Sequence, residues 1–312
     1  MNRPRSARGR VAQSGSAFFL AAACAALAAL LSLSSCATSA ERRALADSWA
    51  ELGNSWAEKG DWAKASAAWS RSLSIDAGQG VAAANLARAY VEAGRYDDAL
   101  KALEPVLARD PGNAGLLSIK AFALAKLGRA SEAISLYGRV VELRAADRVS
   151  IFNLGLLLEE CGRYEEAYGR YAAVLALVPG DPAASLRAAS ALIALGRAED
   201  AMEPLDAYAG GLAAGDTGQL AVAALWEAAG LYARGMDSLS AYLAKNASDG
   251  KAWFALARLR LKAGTMGAEA LDALTRAKAS GFKDGAAARA LAELPGISLS
   301  QEMRELLQSL SQ

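Results

Sequence analysis

Glycines recur along most of this chain with a period of 34 positions, with apolar residues between them. Seven of them keep this spacing without an insertion: Gly60, Gly94, Gly128, Gly162, Gly196, Gly230 and Gly264. A glycine commonly ends a helix, and acidic residues just after it, such as Asp97 and Asp98, suit the first turn of the next helix. The pattern therefore predicts seven helical hairpins, each made of a helix A, a glycine turn and a helix B.

Small residues lie at fixed distances on both sides of these glycines. Seven positions before each glycine stand Gly53, Ala87, Ala121, Gly155, Ala189, Ala223 and Ala257, and five positions after the first six stand Ala65, Ala99, Ala133, Ala167, Ala201 and Gly235. Small side chains allow two helices to approach closely, so helices A and B should touch at these positions. The seventh hairpin has Glu269 instead, with Ala270 one place later, which indicates that its helix B has slipped by one residue or packs differently.

The pattern resembles the tetratricopeptide repeat, and the first and fourth hairpins carry the resemblance most clearly. Trp49, Leu52, Gly53, Trp56, Gly60, Ala65 and Trp69 match in the first, and Ile151, Leu154, Gly155, Gly162, Ala167, Tyr171 and Pro179 in the fourth. The resemblance implies an all-α fold, a right-handed α-solenoid of about seven hairpins over residues 46–283. Two further helices at residues 284–312 should form a polar C-terminal cap.

The N-terminal segment has the pattern of an export signal. Four arginines precede the uncharged run Ala17 to Leu31, which is 15 residues long and short for a membrane span. The sequence Leu33-Ser34-Ser35-Cys36 then resembles the lipobox of bacterial lipoproteins, which implies cleavage before Cys36 and acylation of its thiol. A signal anchor, or a secretory signal with an irrelevant Cys36, is the alternative.

This interpretation divides the chain into a signal peptide at residues 1–35, a lipidated tether at 36–45, the repeats and the cap. Ala37 follows the cysteine in place of the aspartate that would imply inner-membrane retention. We therefore expect a lipid-anchored protein of the cell envelope, at the outer membrane and facing the periplasm.

Composition and charge exclude several functions. The chain has no histidine, which removes histidine-based catalysis and histidine-ligated metal sites, and Cys161 is the one cysteine of the mature chain besides Cys36. Residues 36–312 carry 30 basic against 33 acidic side chains, which does not suit a nucleic-acid binder. We expect no enzymatic activity, no cofactor and no metal, and a free, inert Cys161.

The resemblance also suggests where a ligand would bind. Asn153 and Arg187, at the sixth position of helix A in adjacent repeats, could bind a peptide backbone or a carboxylate as a pair, with a solvated helix surface as the alternative. Other positions of helix A line the concave surface of such solenoids, and in this sequence they are occupied by Ser118, Phe122, Phe152, Leu156, Leu186, Ile193, Leu220 and Phe254. An apolar strip of this kind would accept an extended peptide or an amphipathic helix. The alternative is that these side chains are core or are covered by the cap.

A second binding mode of the family is incomplete here. Asn54 and Asn85 occupy places typical of a clamp for a C-terminal carboxylate, but Ala50, Gly115 and Ile119 stand where basic residues would be needed. The sequence therefore argues against that ligand.

Two functions remain from the sequence. The first is a membrane-anchored scaffold or adaptor that binds peptides or protein subunits, in envelope protein assembly, secretion or pilus biogenesis. The second is a structural lipoprotein that associates with itself through its alanine-rich surface, since alanine supplies 77 of the 312 residues.

Overall fold

The computed structural model describes residues 39–264, 267–297 and 299–311. In these ranges the chain forms sixteen helices and no strand, which confirms the predicted all-α fold. They are α1 (39–58), α2 (Trp62–Ile75), α3 (Gly80–Glu92), α4 (Tyr96–Arg109), α5 (Ala114–Lys126), α6 (Ala130–Leu143), α7 (Arg148–Glu160), α8 (Tyr164–Leu177), α9 (Pro182–Ala194), α10 (Met202–Gly210), α11 (Gly218–Ala228), α12 (Tyr232–Leu243), α13 (Gly250–Ala263), α14 (Gly267–Ala279), α15 (Gly285–Ala292) and α16 (Gln301–Leu310). The predicted signal peptide and Cys36 lie outside the described residues.

The helices group into two compact units. The first unit ends at Gly128 and contains α1 to α5, and the second begins at Arg129 and contains α6 to α16. The first thus holds two complete hairpins and one helix A. The second holds the matching helix B, four further hairpins and the two C-terminal helices.

All seven periodic glycines adopt the left-handed backbone conformation, with φ between 71° and 77°. At Gly162 the turn is closed by two hydrogen bonds: the Gly162 N–H donates to the carbonyl of Glu159, and the Arg163 N–H to that of Leu158. These bonds satisfy carbonyls at the end of α7 and start α8 two residues after the glycine. The predicted hairpin turns are confirmed.

Helices A and B of a hairpin touch where the small residues were expected. A Cβ atom added to Gly53 would lie 2.4 Å from Nε1 of Trp69, and one added to Gly155 would lie 2.7 Å from Cε1 of Tyr171. Because these gaps are too short for a methyl group, the glycines are required by the aromatic ring packed over them.

The seventh hairpin shows the predicted slip. Glu269 is exposed, whereas Ala270 is fully buried in the core between α13 and α14. Arg260 stands where the repeat pattern expects an apolar or small residue, and it donates a 2.8 Å hydrogen bond to the carbonyl of Glu269. The two unusual residues of this hairpin therefore contact each other.

Helix α10 of the fifth hairpin differs from the other B helices. It begins at Met202, six residues after Gly196, and residues 198–201 form turns instead of a first helical turn. Pro204 accounts for this, because proline lacks the N–H that would bond to the carbonyl of Asp200 and fits best in the first turn of a helix. Ala201 remains buried, so the contact with α9 is kept.

The first and last described helices, α1 and α16, each show one further feature. At the C-terminus, Met303, Leu307 and Leu310 of α16 are buried against the last hairpin. At the N-terminus, α1 already includes residues 39–45, the part assigned to the tether from the sequence. Residues 39–45 contain neither glycine nor proline, which explains why they can form part of the helix.

The glycine turns can be tested with two substitutions in one hairpin. Gly162→Val forces a β-branched residue into a left-handed conformation and should lower the free energy of unfolding by about 1–3 kcal/mol. Gly169→Ala, inside α8 with no atom within 4 Å of the new Cβ, should raise it by about 0.5–1 kcal/mol. Thermal and urea unfolding followed by circular dichroism measure both, and equal effects of the two variants would contradict the assignment.

Candidate functional site

A concavity in the first unit has a volume of about 970 Å³. Its walls come from the C-terminal end of α1, the outward face of α2 and the C-terminal half of α3. We call it the N-terminal groove. The residues that line it are Asn54, Ala57, Glu58, Trp62, Ala63, Ser66, Ala67, Trp69, Ser70, Asn85, Arg88, Ala89, Tyr90, Glu92, Ala93 and Arg95.

One wall of the N-terminal groove is a row of small side chains on α2. Ala63, Ser66, Ala67 and Ser70 follow helical spacing and therefore share one face. Beside them the large indole of Trp62 is 59% exposed. Small residues let a ligand approach the helix axis closely, and an exposed indole offers it a flat apolar contact.

The floor of the N-terminal groove contains two asparagines brought together from different hairpins. The indole Nε1–H of Trp69 donates to Oδ1 of Asn54 at 3.0 Å, and Nδ2 of Asn85 donates to the same oxygen at 2.9 Å. Because an indole N–H can only donate, it fixes which end of the Asn54 amide is oxygen. The Asn54 amide nitrogen and the Asn85 oxygen have no other hydrogen-bond partner among the described residues. They are left as one donor and one acceptor, the pair that a peptide unit needs.

The rim of the N-terminal groove carries both signs of charge. Arg88, Glu58 and Glu92 are exposed there. Arg95 has its guanidinium carbon 4.5 Å from the ring centre of Tyr90, and it hydrogen-bonds the carboxylate of Asp98, which lowers the pKa of that carboxyl. The site thus has an apolar, amide-lined floor with a polar rim.

The residues predicted from helix A positions lie elsewhere, and none of them lines the N-terminal groove. Four are found in two smaller cavities of the second unit. Phe152 and Asn153 line one of about 170 Å³ beside α8 and α9. Leu156 and Arg187 line another of about 320 Å³ between α7 and α9.

The remaining predicted residues lie on α5, α9, α11 and α13. Leu186, Ile193 and Leu220 are half-buried against core clusters of the second unit, and Ser118 and Phe122 are half-buried on α5. The prediction for Phe254 is wrong: it is 3% exposed, and its ring stacks on Phe282 with centroids 4.2 Å apart. Phe282 comes from the segment after the last hairpin, so the C-terminal helices turn this position into core.

Asn153 and Arg187 are engaged by neighbouring side chains. Asn153 Nδ2 donates to the hydroxyl of Tyr137 at 3.2 Å, and Arg187 donates to Oε1 of Glu159 at 3.2 Å. The Tyr171 hydroxyl donates to Oε2 of the same glutamate at 2.6 Å. Burial, together with the bond to Glu159, raises the pKa of Tyr171, and burial raises the pKa of Tyr137 to about 12. These polar side chains therefore stabilise the hairpin contacts.

The sequence analysis named Asn54 and Asn85 only as parts of an incomplete carboxylate clamp, and it did not predict the N-terminal groove because it considered only helix A. The wall of this groove is the outward face of a helix B. A signal was present: Ala63, Ser66, Ala67 and Ser70 are small at positions that the repeat pattern does not require, and Trp62 stands directly after the Gly60-Asp61 turn.

The described residues offer little other chemistry. No group of three or more cysteine, aspartate or glutamate side chains in them could hold a metal ion. Within the same ranges, no helix has both the length and the apolar character that a membrane crossing needs. Cys161 is an exposed free thiol directly after α7.

Comparison with known proteins agrees with the helical hairpins. Residues 57–106, 91–150 and 158–210 match the sequence profile of the tetratricopeptide repeat family. A search among curated proteins finds no match. The chain is therefore similar to tetratricopeptide repeats over residues 57–150 and 158–210.

Solved structures show the same fold. A tetratricopeptide repeat protein from Parabacteroides merdae ATCC 43184 is similar over 85% of this chain and 99% of its own, with a TM-score of 0.56 and 15% identity. The protein MamA is similar over 53% of this chain and 91% of its own, with a TM-score of 0.50 and 20% identity. YrrB, described as a repeat protein with an unusual peptide-binding site, is 25% identical over 52% of this chain and 84% of its own, with a TM-score of 0.47.

The buried tyrosine predicts a loss of stability at high pH. An unfolded tyrosine ionises near pH 10, whereas Tyr137 in the folded chain ionises near 12, so its contribution is complete below pH 10 and is lost as the pH rises to 12. The loss should reach roughly 2–3 kcal/mol, and Tyr137→Phe should make it smaller. Urea unfolding at a series of pH values measures the profile, and a variant profile parallel to that of the wild type would contradict this origin.

Proposed function

We propose that this protein is a scaffold that binds a peptide segment of another protein in the N-terminal groove. The observation that carries the proposal is the arrangement of Trp62 beside the Asn54 and Asn85 amides. A peptide unit would accept a hydrogen bond from Asn54 and donate one to Asn85, while a neighbouring apolar side chain packs against Trp62 and the small residues of α2. The chain's tetratricopeptide repeats support a role in protein interaction.

Preorganisation favours binding at this site. Trp69 is 2% exposed and holds Asn54 in one orientation, so little side-chain freedom is lost when a ligand binds. The exposed Trp62 would be buried by the ligand, and apolar area contributes about 25 cal/mol per Å². Binding alone explains this set of groups, and we assign no reaction to it.

We further propose that the chain is a bacterial lipoprotein, acylated on Cys36 and held at the outer membrane facing the periplasm. The support is the sequence Leu33-Ser34-Ser35-Cys36 after a basic and then apolar segment. The bound segment would then belong to a protein of envelope assembly, secretion or pilus biogenesis.

The groove is tested by filling it. Ala67→Arg places a long side chain over the floor from an exposed position on α2, so the fold should be unaffected. We expect the amount of partner recovered from detergent-solubilised envelopes to fall at least about tenfold, which corresponds to about 1.4 kcal/mol. Quantitative mass spectrometry of the recovered proteins provides the measurement.

The matched control is Val149→Arg, at an apolar residue of α7 that is 59% exposed. It should recover the same partners as the wild type. Equal losses from both variants would point to a nonspecific effect of charge, and unchanged recovery with Ala67→Arg would refute the groove as the binding site.

The anchor is tested with Cys36→Ala. The wild-type chain should incorporate radiolabelled fatty acid and cofractionate with outer membranes, whereas the variant should lose the label. A wild-type chain without label would exclude lipid anchoring and would leave the groove proposal standing.

A further inference from the structure

Helix α1 presents four apolar side chains on one face: Leu45, Trp49, Leu52 and Trp56. Their spacing of four, three and four residues places them in one stripe along the helix. Leu45 is 52% exposed and Leu52 is 41% exposed, while the two tryptophans are half-buried. We call this stripe the α1 outer face. It is separate from the N-terminal groove, which α1 lines with Asn54, Ala57 and Glu58.

Later hairpins bury the residue at the position of Leu52. Counting in steps of 34 from Leu52, the apolar residues at this position are Leu86, Leu154, Ala188, Val222 and Leu256, and all are exposed by 4% or less. In each case the preceding helix in the chain packs against the helix that carries the residue. Among the described residues no helix precedes α1, so its outer face is the open end of the array.

We propose that the α1 outer face lies on the surface of the lipid bilayer. This inference rests on the proposed acylation of Cys36. The first described residue of α1, Ser39, lies three positions after Cys36, a distance of at most about 10 Å along the chain. Six more residues of helix reach Leu45 in about 9 Å. An anchored chain would therefore hold Leu45 within about 20 Å of the lipid, and Leu52, seven helical residues further along, within about 30 Å.

The side chains of the α1 outer face suit a membrane interface. Tryptophan and leucine on one face of a helix bury into the boundary between headgroups and acyl chains, and cations beside them attract anionic headgroups. Lys59 and Lys64 lie 5.1 Å and 4.4 Å from the ring centre of Trp56. Lys64 is paired with Asp61, and Arg42 and Glu41 at the other end of the face have opposite charges. Lys59 therefore leaves the margin of the α1 outer face with one net positive charge.

A second copy of the chain is the competing occupant. The proposed lipid on Cys36 favours the bilayer over a second copy, because it directs the α1 end of every copy toward the membrane surface. The membrane is then always within reach, whereas a second copy must be met by diffusion.

The test measures how accessible Leu52 is on membranes. The full chain is isolated with its lipid, mass spectrometry confirms the lipid on Cys36, and the protein is reconstituted into vesicles of phosphatidylethanolamine and phosphatidylglycerol. Leu52→Cys in a Cys161→Ser background is then reacted with a membrane-impermeant maleimide. Val81→Cys in the same background is the control, since Val81 lies on α3 and is 64% exposed. Each rate is normalised to that of the urea-unfolded chain.

We expect the normalised rate of Leu52→Cys to be at least about tenfold below that of Val81→Cys, because the interface buries the face by several ångströms. Leu45→Cys should behave like Leu52→Cys, which guards against a local folding defect. Equal rates for a lipidated chain would overturn the inference and leave the anchor standing. Protection that disappears when the protein is diluted into more lipid would assign the face to a second copy and would also overturn it. A chain without lipid on Cys36 would remove the anchor and this inference together.

Discussion

The structure depends on the close contact between the two helices of each hairpin. In the first and fourth hairpins this contact is a glycine of helix A under an aromatic ring of helix B, Gly53 under Trp69 and Gly155 under Tyr171. The left-handed glycine between the helices sets the turn that makes the contact possible. Neither helix can bury its apolar side alone, so each hairpin must pack against the next, and the fixed period of 34 residues makes this packing repeat.

The contact between helices A and B also orients polar side chains. Trp69, Tyr137 and Tyr171 stand at one position of the repeat, and in each the polar atom of the ring reaches a side chain of a helix A: Asn54, Asn153 or Glu159. In the second unit, the side chains in these hydrogen bonds bond to one another or to neighbouring protein side chains. In the first unit the bond from Trp69 orients Asn54 and, through it, Asn85, so that a donor and an acceptor remain for a ligand. The candidate site is therefore a consequence of a contact that the fold already needs.

The fold was predictable from the sequence because the residues that determine it recur every 34 positions. The glycines, the small residues and the slip from Glu269 to Ala270 can all be read by counting, and each is confirmed in the structure. The shortened α10 was not foreseen, although Pro204 is a local signal for it.

The candidate site was less predictable, because a groove depends on which faces remain uncovered. Phe254 has the position of a surface residue in its own hairpin, but it is buried by Phe282, 28 residues later. Conversely, Ala67 and Trp62 belong to a helix B whose outward face carried no expectation of binding. Counting positions identifies a helical face, but only the packed chain shows what covers it.

The most direct test of the central claim is photo-crosslinking from the N-terminal groove in living cells. A crosslinking amino acid at Ala67 should give discrete adducts whose mapped sites fall on one segment of a partner, and these should disappear when Asn54 and Asn85 are both replaced by alanine. The same amino acid at Val149 should give none of them. Adducts that are identical from both positions, or that persist without the two asparagines, would contradict a peptide-binding groove between α2 and α3.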